Sequence, residues 1–424
     1  MMQNDGTIAR VYSSRAGGTL FEQSLFVIWF LVIGLPIDAI TPLRYLFILY
    51  FFSFFLLDSR NVFSSLARSW WLLPFAMIAL LSFYWSPYAS AALRLAALMC
   101  ISTLIIIISA ARFTPRQIIR CVFISSIFLG LYIVAYPVPI TEGGPWGSKN
   151  FAALHMLTAF IVSFVTILDR GETKQLRMLG VLFTPFFAFL VISAQSTTAL
   201  FMLFVSFVMI AGLRVFFLDA RGVRNLFGFL LVFAFGLGLA IMYAMLIFVD
   251  QQVIDSFLGA FGKDSSFTGR TSLWDEAEHQ ISMRPLLGVG LEGFWQYDIG
   301  AAQTLNENDH KPFGTNLTFH NVHLEVMVHT GYVGYSLFFL SILAVIILNL
   351  KRLFSQPDMQ VIGFCTVIVI GLISSFVESS LWGPFNIQAF LFFVGGAAYA
   401  QRPSRKLIGH LIIDNRNKQA FQAQ

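Results

Sequence analysis

Residues 88–111 read YASAALRLAALMCISTLIIIISAA, an apolar run that limits what kind of fold this chain can adopt. Arg94 is its one charged side chain, and the run exceeds the roughly 20 residues that cross about 30 Å of hydrocarbon as a helix. Comparable runs recur along most of the 424-residue chain, which is 57% hydrophobic and 12% charged. This composition lies outside that of soluble globular proteins and predicts an integral membrane protein.

The apolar runs are continuous in Leu, Ile, Phe and Val and lack the alternation that a membrane β-barrel requires. They therefore predict an all-α, polytopic membrane protein with about twelve transmembrane helices. The predicted spans are 23–37, 45–57, 70–85, 88–111, 121–138, 151–168, 178–194, 199–218, 226–249, 330–350, 359–377 and 387–400.

Lys and Arg residues cluster at both termini and in alternate connectors, and positively charged connectors stay in the cytoplasm. We therefore expect both termini to be cytoplasmic and the long polar loop at 250–323 to be extracytoplasmic. The chain then divides into N-terminal helices (1–249), this loop, and C-terminal helices with a cytoplasmic tail (324–424). The net charge of +5 reflects this topology and gives no support to nucleic-acid binding.

The 250–323 loop is the long polar interruption between the apolar runs, so we expect the chemistry there. Leu273, Ala277 and Ile281 repeat at helical spacing and predict a helix with one face against the bundle or the bilayer surface. The stretch GVGLEG at 288–293 fits a dinucleotide-binding pattern, but no strand precedes it and it faces away from cytoplasmic nucleotides. We reject that site and predict a tight turn that seats Phe294 and Trp295 at the membrane interface.

His320, His323 and Glu325 lie where this loop re-enters the membrane. A metal site would need a clearer ligand set, and the three cysteines lack metal-binding spacing. We therefore predict no metal and no cofactor. His320 either satisfies local hydrogen bonds or acts as a general base, and the latter is favoured because its loop also carries Arg270 and Arg284.

Two cations are open to two interpretations each, and a third lies on the same outer side. Arg270 is either a solvated surface charge or a bidentate phosphate ligand. Arg94 lies about two helical turns inside its span, where it either reaches back to the interface or faces an inward anion site. Lys149, with Asn150, follows a glycine-rich turn on the same outer side.

At these residues the sequence resembles the O-antigen ligase and polymerase superfamily, especially the exopolysaccharide polymerases of Gram-negative bacteria. The segments that carry the resemblance span about 190 residues: GSKN at 147–150, QSTTA at 195–199, TGRTSLW at 268–274, PLLGVG at 285–290, HNVHLE at 320–325 and TGYVG at 330–334. The resemblance implies a bacterial inner-membrane glycosyltransferase that uses an undecaprenyl-diphosphate-linked glycan at the periplasmic face, with no metal requirement.

Two positions depart from the family pattern. Thr197 stands where ligase relatives often have an arginine, and Ser148 stands where many polymerase relatives have a histidine. The first departure weakens the ligase assignment and removes an expected phosphate contact. Arg94 or Lys149 is the candidate replacement for that charge.

The leading hypothesis is a polymerase that transfers a lipid-diphosphate-linked saccharide to the next lipid-linked repeat unit. His320 would accept the proton of the acceptor hydroxyl, and Arg270 would stabilise the departing diphosphate. The candidate substrate-binding residues are Lys149, Asn150, Arg94, Arg284, Asn321 and Glu325. The expected partners are lipid-linked saccharides, the bilayer and other polysaccharide assembly proteins. The alternatives are a ligase that transfers the glycan to lipid A-core, and a polysaccharide transporter or flippase.

Overall fold

The structure is a computed structural model that describes residues 18–218 and 270–401. Within these two ranges the regular elements are all helical and no strand occurs, which confirms the predicted fold class. The helices are α1 (Leu20–Gly34), α2 (Thr41–Leu57), α3 (Ser59–Arg68), α4 (Leu73–Leu81), α5 (Ala89–Arg112), α6 (Pro115–Ala135), α7 (Lys149–Leu168), α8 (Lys174–Ser193), α9 (Thr197–Phe217), α10 (Arg270–Met283), α11 (Gly300–Asn308), α12 (Val322–Ser355), α13 (Met359–Ser375) and α14 (Ile387–Ala400).

Seven of the described helices are long and apolar enough to cross a membrane, or eight if the bent pair of α3 with residues 70–84 forms one span. The chain is therefore a multi-pass membrane protein. Helices α1, α13 and α14 are apolar but shorter. The predicted span at 226–249 lies outside the described residues, so the count of twelve remains a prediction.

Two predicted spans differ most from the helices observed. The segment predicted as a span at 70–85 makes an angle of 68° with α3. Within it, Pro74 lies in the first turn of α4, where its missing backbone N–H is tolerated. The span predicted at 330–350 starts earlier, at Val322, because Asn321 caps it. The Asn321 Oδ1 atom accepts hydrogen bonds from the backbone N–H groups of His323 and Leu324 at 2.9 and 3.3 Å.

Ion pairs join three connecting segments at one end of the bundle. Arg116 pairs with Asp169 at 2.7 Å and Arg120 pairs with Glu172 at 2.8 Å, which joins the start of α6 to the end of α7. Arg112 pairs with Glu22 at 2.7 Å and adds the end of α5 and the start of α1. Helix α7 runs about 30 Å from this end to Lys149, so the opposite end is a separate polar region.

The loop between α9 and α12 has its own core where it is described. Leu273, Ala277 and Ile281 of α10 are buried, which confirms the predicted apolar face. The prediction for Phe294 and Trp295 was wrong: both are buried, and their ring centroids lie 5.1 and 4.8 Å from that of Phe319. Packing them together removes more aromatic surface from water than an interfacial position would.

Helix α12 is broken at Gly331, where φ is 63° and ψ is −169°. The break removes intrahelical hydrogen bonds on both of its sides, and the glycine-rich segment 285–290 replaces them. The replacements are Tyr332 N to Pro285 O at 2.7 Å, Val333 N to Leu286 O at 3.2 Å, Val289 N to Val328 O at 2.8 Å, and Gly290 N to His329 O at 3.0 Å. Segment 285–290 therefore fixes the loop core to the broken helix.

Candidate active site

A carboxylate that the sequence interpretation missed joins the predicted site residues. Glu378 lies in the turn after α13, and its side chain is 12% exposed. Its Oε1 atom accepts hydrogen bonds from Arg270 Nη2 at 2.6 Å and from Asn150 Nδ2 at 2.9 Å. Its Oε2 atom lies 3.2 Å from His320 Nδ1. The structure thus brings Arg270, His320 and Asn150 together around Glu378.

Helix N-termini position one side of this cluster. Asn150 is in the first turn of α7, which Ser148 caps, and its Oδ1 atom accepts a hydrogen bond from Ser196 Oγ at 2.9 Å. Ser196 in turn caps α9 through the Ala199 N–H at 3.4 Å. Because α12 also begins two residues after His320, three helix N-termini converge on the cluster. Their partial positive charges favour an anion there.

The charge state of Glu378 determines how His320 is held. Burial raises the pKa of the Glu378 carboxyl, but the hydrogen bond and charge of His320 and the charge of Arg270 outweigh burial and lower that pKa overall. An ionised carboxylate only accepts hydrogen bonds, so His320 donates through Nδ1–H. In the neutral imidazole this leaves Nε2 unprotonated and able to accept a proton.

His320 has a strained backbone, with φ at 49°. A non-glycine residue in this left-handed region costs on the order of 1 kcal/mol and needs surrounding contacts to hold it. The preceding residue supplies them: Phe319 N–H donates to Glu325 Oε2 at 2.9 Å, and Phe319 O accepts from Trp274 Nε1 at 3.0 Å. Strain of this kind concentrates at functional sites and supports the choice of His320.

The remaining candidates lie in other environments. Lys149 is exposed beside Asn150, while Arg94 on α5 and Arg284 after α10 are exposed as well. Among the described residues, none of these three cations bonds to Glu378. Asn321 uses its side-chain oxygen to cap α12. The Thr268 and Gly269 of the TGRTSLW segment lie outside the described residues.

Glu325 is buried within α12, with 1% of the residue exposed. Its two carboxyl oxygens bond to Phe319 N–H and to His329 Nε2, the latter at 3.3 Å. The side chain therefore contacts the backbone next to His320 and does not reach the Glu378 cluster.

His323 has a complete set of local partners. Ser375 Oγ gives its proton to Leu372 O at 2.7 Å, so it accepts from His323 Nε2 at 3.0 Å. Nδ1 is then the acceptor for Tyr335 Oη–H at 3.2 Å. These bonds link α12 to the end of α13, just before Glu378, and give His323 a structural environment.

Within 18–218 and 270–401, no group of three or more His, Cys, Asp and Glu side chains is arranged to hold a metal ion.

Glu378 could have been found from one signal: it is an isolated acid at the end of an apolar span, on the side that the charge pattern predicts to be extracytoplasmic.

Two comparisons with known proteins bear on this site. A family model described as O-antigen ligase matches residues 180–339, a region that contains Arg270 and His320 but not Asn150 or Glu378. The exopolysaccharide production protein ExoQ of Rhizobium meliloti (strain 1021) is 26% identical over 367 residues. That alignment covers 82% of this chain and 81% of ExoQ.

Proposed function

We propose that this chain, a member of the O-antigen ligase and polymerase superfamily with a polymerase-type or ligase-type function, is an exopolysaccharide or O-antigen polymerase. The donor is a growing glycan on undecaprenyl diphosphate, and the acceptor is the next lipid-linked repeat unit. The observation that carries this proposal is the cluster in which Glu378 contacts Arg270, Asn150 and His320.

The chemistry needs a base for the acceptor and positive charge for the leaving group. His320 Nε2 takes the proton from an acceptor sugar hydroxyl, and the hydroxyl oxygen then bonds to the anomeric carbon of the donor glycan. The bond from that carbon to the diphosphate oxygen breaks, and its electron pair leaves with the diphosphate. Glu378 orients the imidazole through Nδ1–H and stabilises the imidazolium that forms.

Arg270 and the helix N-termini stabilise the departing diphosphate in this proposal. Arg270 donates a hydrogen bond from Nη2 to Glu378, and the other N–H groups of its guanidinium can donate to phosphate oxygens. Lys149 is exposed beside the start of α7 and contributes a mobile charge at the same end. Arg94 and Arg284 remain candidates for more distant parts of the lipid-linked substrate.

Polymerase and ligase differ in the acceptor they use. The exopolysaccharide role of the relative ExoQ favours exopolysaccharide synthesis, and the O-antigen ligase family favours a ligase. Thr197, where ligase relatives often have an arginine, supports the polymerase. Purified protein in liposomes should therefore elongate a lipid-linked repeat unit supplied alone. Product that forms only after lipid A-core is added would support the ligase, and lipid movement without a new glycosidic bond would support the flippase.

The orientation of the chain is part of the proposal. We propose that the Glu378 end faces the periplasm and that the Arg116–Asp169 end faces the cytoplasm, with both termini, in a bacterial inner membrane. The division into 1–249, 250–323 and 324–424 follows from this. A reporter inserted between Gln303 and Thr304 should show a periplasmic location, and one placed after residue 221 a cytoplasmic one. Opposite locations would contradict a site that meets a periplasmic donor.

A further inference from the structure

A second ionisable pair lies on α12, apart from the Glu378 cluster. The side chains of Glu325 and His329 are 2% and 4% exposed, and their Oε1 and Nε2 atoms are 3.3 Å apart. The His329 ring stacks on Trp382 with an interplanar angle of 7°. Burial this complete requires that both groups find partners, since an unpaired charge there would be strongly disfavoured.

The hydrogen bonds define how many protons the pair holds. His329 Nδ1 lies 3.0 Å from Gly290 O, and a carbonyl only accepts, so Nδ1 carries a proton. Nε2 faces a carboxyl oxygen of Glu325, so one further proton lies between them. The pair is either imidazolium with carboxylate or imidazole with carboxylic acid, and its net charge is zero in both forms.

The other Glu325 oxygen connects this pair to the proposed base. Oε2 accepts the Phe319 N–H at 2.9 Å, and Phe319 directly precedes His320, whose φ is 49°. His329 extends the connection through Gly290 to segment 285–290, which is bonded to both sides of the break at Gly331. The backbone at His320 is thus tied to the broken helix through two buried side chains.

We propose that Glu325 and His329 are positioning residues, which hold the His320 backbone in its strained conformation for glycan transfer. This role rests on the proposed function, and it replaces direct substrate binding for Glu325. Neither side chain contacts the reacting atoms. Their effect on the reaction is carried by the Phe319–His320 backbone.

Replacement of Glu325 by glutamine separates positioning from chemistry. In Glu325→Gln the amide oxygen still accepts the Phe319 N–H, and the amide N–H donates to His329 Nε2. Both hydrogen bonds survive, but the exchangeable carboxyl proton is gone. A direct acid, base or charged substrate contact would be lost in this variant, whereas a positioning contact would be kept.

The test measures glycan transfer by the full-length protein in liposomes, with a lipid-linked repeat unit as substrate. Wild type, Glu325→Gln, Glu325→Ala and the base variant His320→Gln are compared at equal abundance. We expect Glu325→Gln to keep kcat within about threefold of wild type, with the same pH profile, and Glu325→Ala to lose more than about tenfold in kcat with little change in the donor KM. His329→Ala, which removes the hydrogen bonds to both Gly290 and Glu325, should also lose more than about tenfold in kcat.

Each result decides the role. A Glu325→Gln variant as inactive as Glu325→Ala, or with a shifted pH profile, would overturn positioning and favour a direct role for the carboxyl group. A fully active Glu325→Ala would also overturn it. Should Glu325→Ala fail to accumulate, the kcat and pH profile of Glu325→Gln decide alone. Wild type without transfer activity would overturn the proposed function itself, and the His320→Gln control shows whether the measured activity uses the proposed base.

Discussion

His320 Nδ1 lies 3.2 Å from Glu378 Oε2, although 58 residues separate them in the chain. The same carboxylate bonds to Arg270 and Asn150, so one side chain orients the imidazole and two other polar groups. A carboxylate behind the far nitrogen of an imidazole fixes its tautomer and its orientation. His320 therefore has a fixed tautomer with Nε2 free to accept a proton, as a general base requires, whereas an isolated histidine has no fixed tautomer.

Replacement of His320 tests the base directly. His320→Ala and His320→Gln should each reduce glycan transfer by roughly 10²–10⁴-fold, since neither side chain can take up a proton as imidazole does. Membrane abundance should stay the same, because the side chain is 29% exposed at the rim of the loop. Transfer is measured with a lipid-linked repeat unit in liposomes.

His323→Ala is the matched control for this prediction. The variant loses the hydrogen bonds of the His323 side chain to Ser375 and Tyr335, which are worth about 1 kcal/mol each. Glycan transfer should therefore fall by less than about tenfold at equal abundance. Chelator should leave wild-type transfer unchanged. An active His320→Gln variant, or inhibition by chelator, would contradict the proposed chemistry.

Substitution of Arg270 tests the diphosphate contact. Arg270→Lys keeps the charge but loses the planar fork that can bond to Glu378 and to phosphate together, so it should lower kcat/KM by about tenfold or more. Arg270→Ala should lose more, because it also leaves the Glu378 carboxylate with fewer partners. Kinetics with the lipid-linked repeat unit measure both effects.

Lys311→Ala provides the control for the loss of a cation in the same loop. Lys311 is 45% exposed and pairs only loosely with Asp309, at 3.6 Å, so its removal should leave kcat/KM unchanged. Normal transfer by Arg270→Ala at wild-type abundance would show that Arg270 is a structural partner of Glu378 alone.

The sequence predicts the membrane class, the apolar face of α10 and three members of the cluster, because each follows from local periodicity or a motif. Glu378 could not be assigned a role in the same way, since its partners come from three distant segments and only the packing of α7, α10, α12 and α13 brings them together. The role of the glycines at 285–290 also depends on a distant element, the break at Gly331. Phe294 and Trp295 were misplaced because aromatic residues at a predicted interface have the same sequence pattern as a small loop core.

The lowered pKa of Glu378 predicts how stability depends on pH. A carboxyl with a folded-state pKa below its ordinary value of 4.5 stabilises the fold fully above that value, and the contribution is lost as pH falls through the lowered pKa. Wild type should therefore lose Tm in detergent as pH falls from 7 to below 4.5. Glu378→Gln should be less stable at pH 7 and should lose less Tm over the same interval. Thermal melts that run parallel for the two proteins would contradict the ionised, paired state of Glu378.

Substitution of Gly331 tests the break in α12. Its φ of 63° with ψ of −169° is a conformation open almost only to glycine, and an added Cβ would lie 2.3 Å from the Leu286 carbonyl oxygen. Gly331→Ala should therefore lose at least about 1–3 kcal/mol of stability through strain and overpacking. It should also weaken transfer, because the break is bonded to the segment that contacts His329.

Gly300→Ala is the matched control: a Cβ there meets nothing within 4 Å and falls at the start of α11, so stability should change by less than about 0.5 kcal/mol. Thermal unfolding in detergent measures both variants, and an equal Tm for Gly331→Ala and wild type would show that α12 can form without this break.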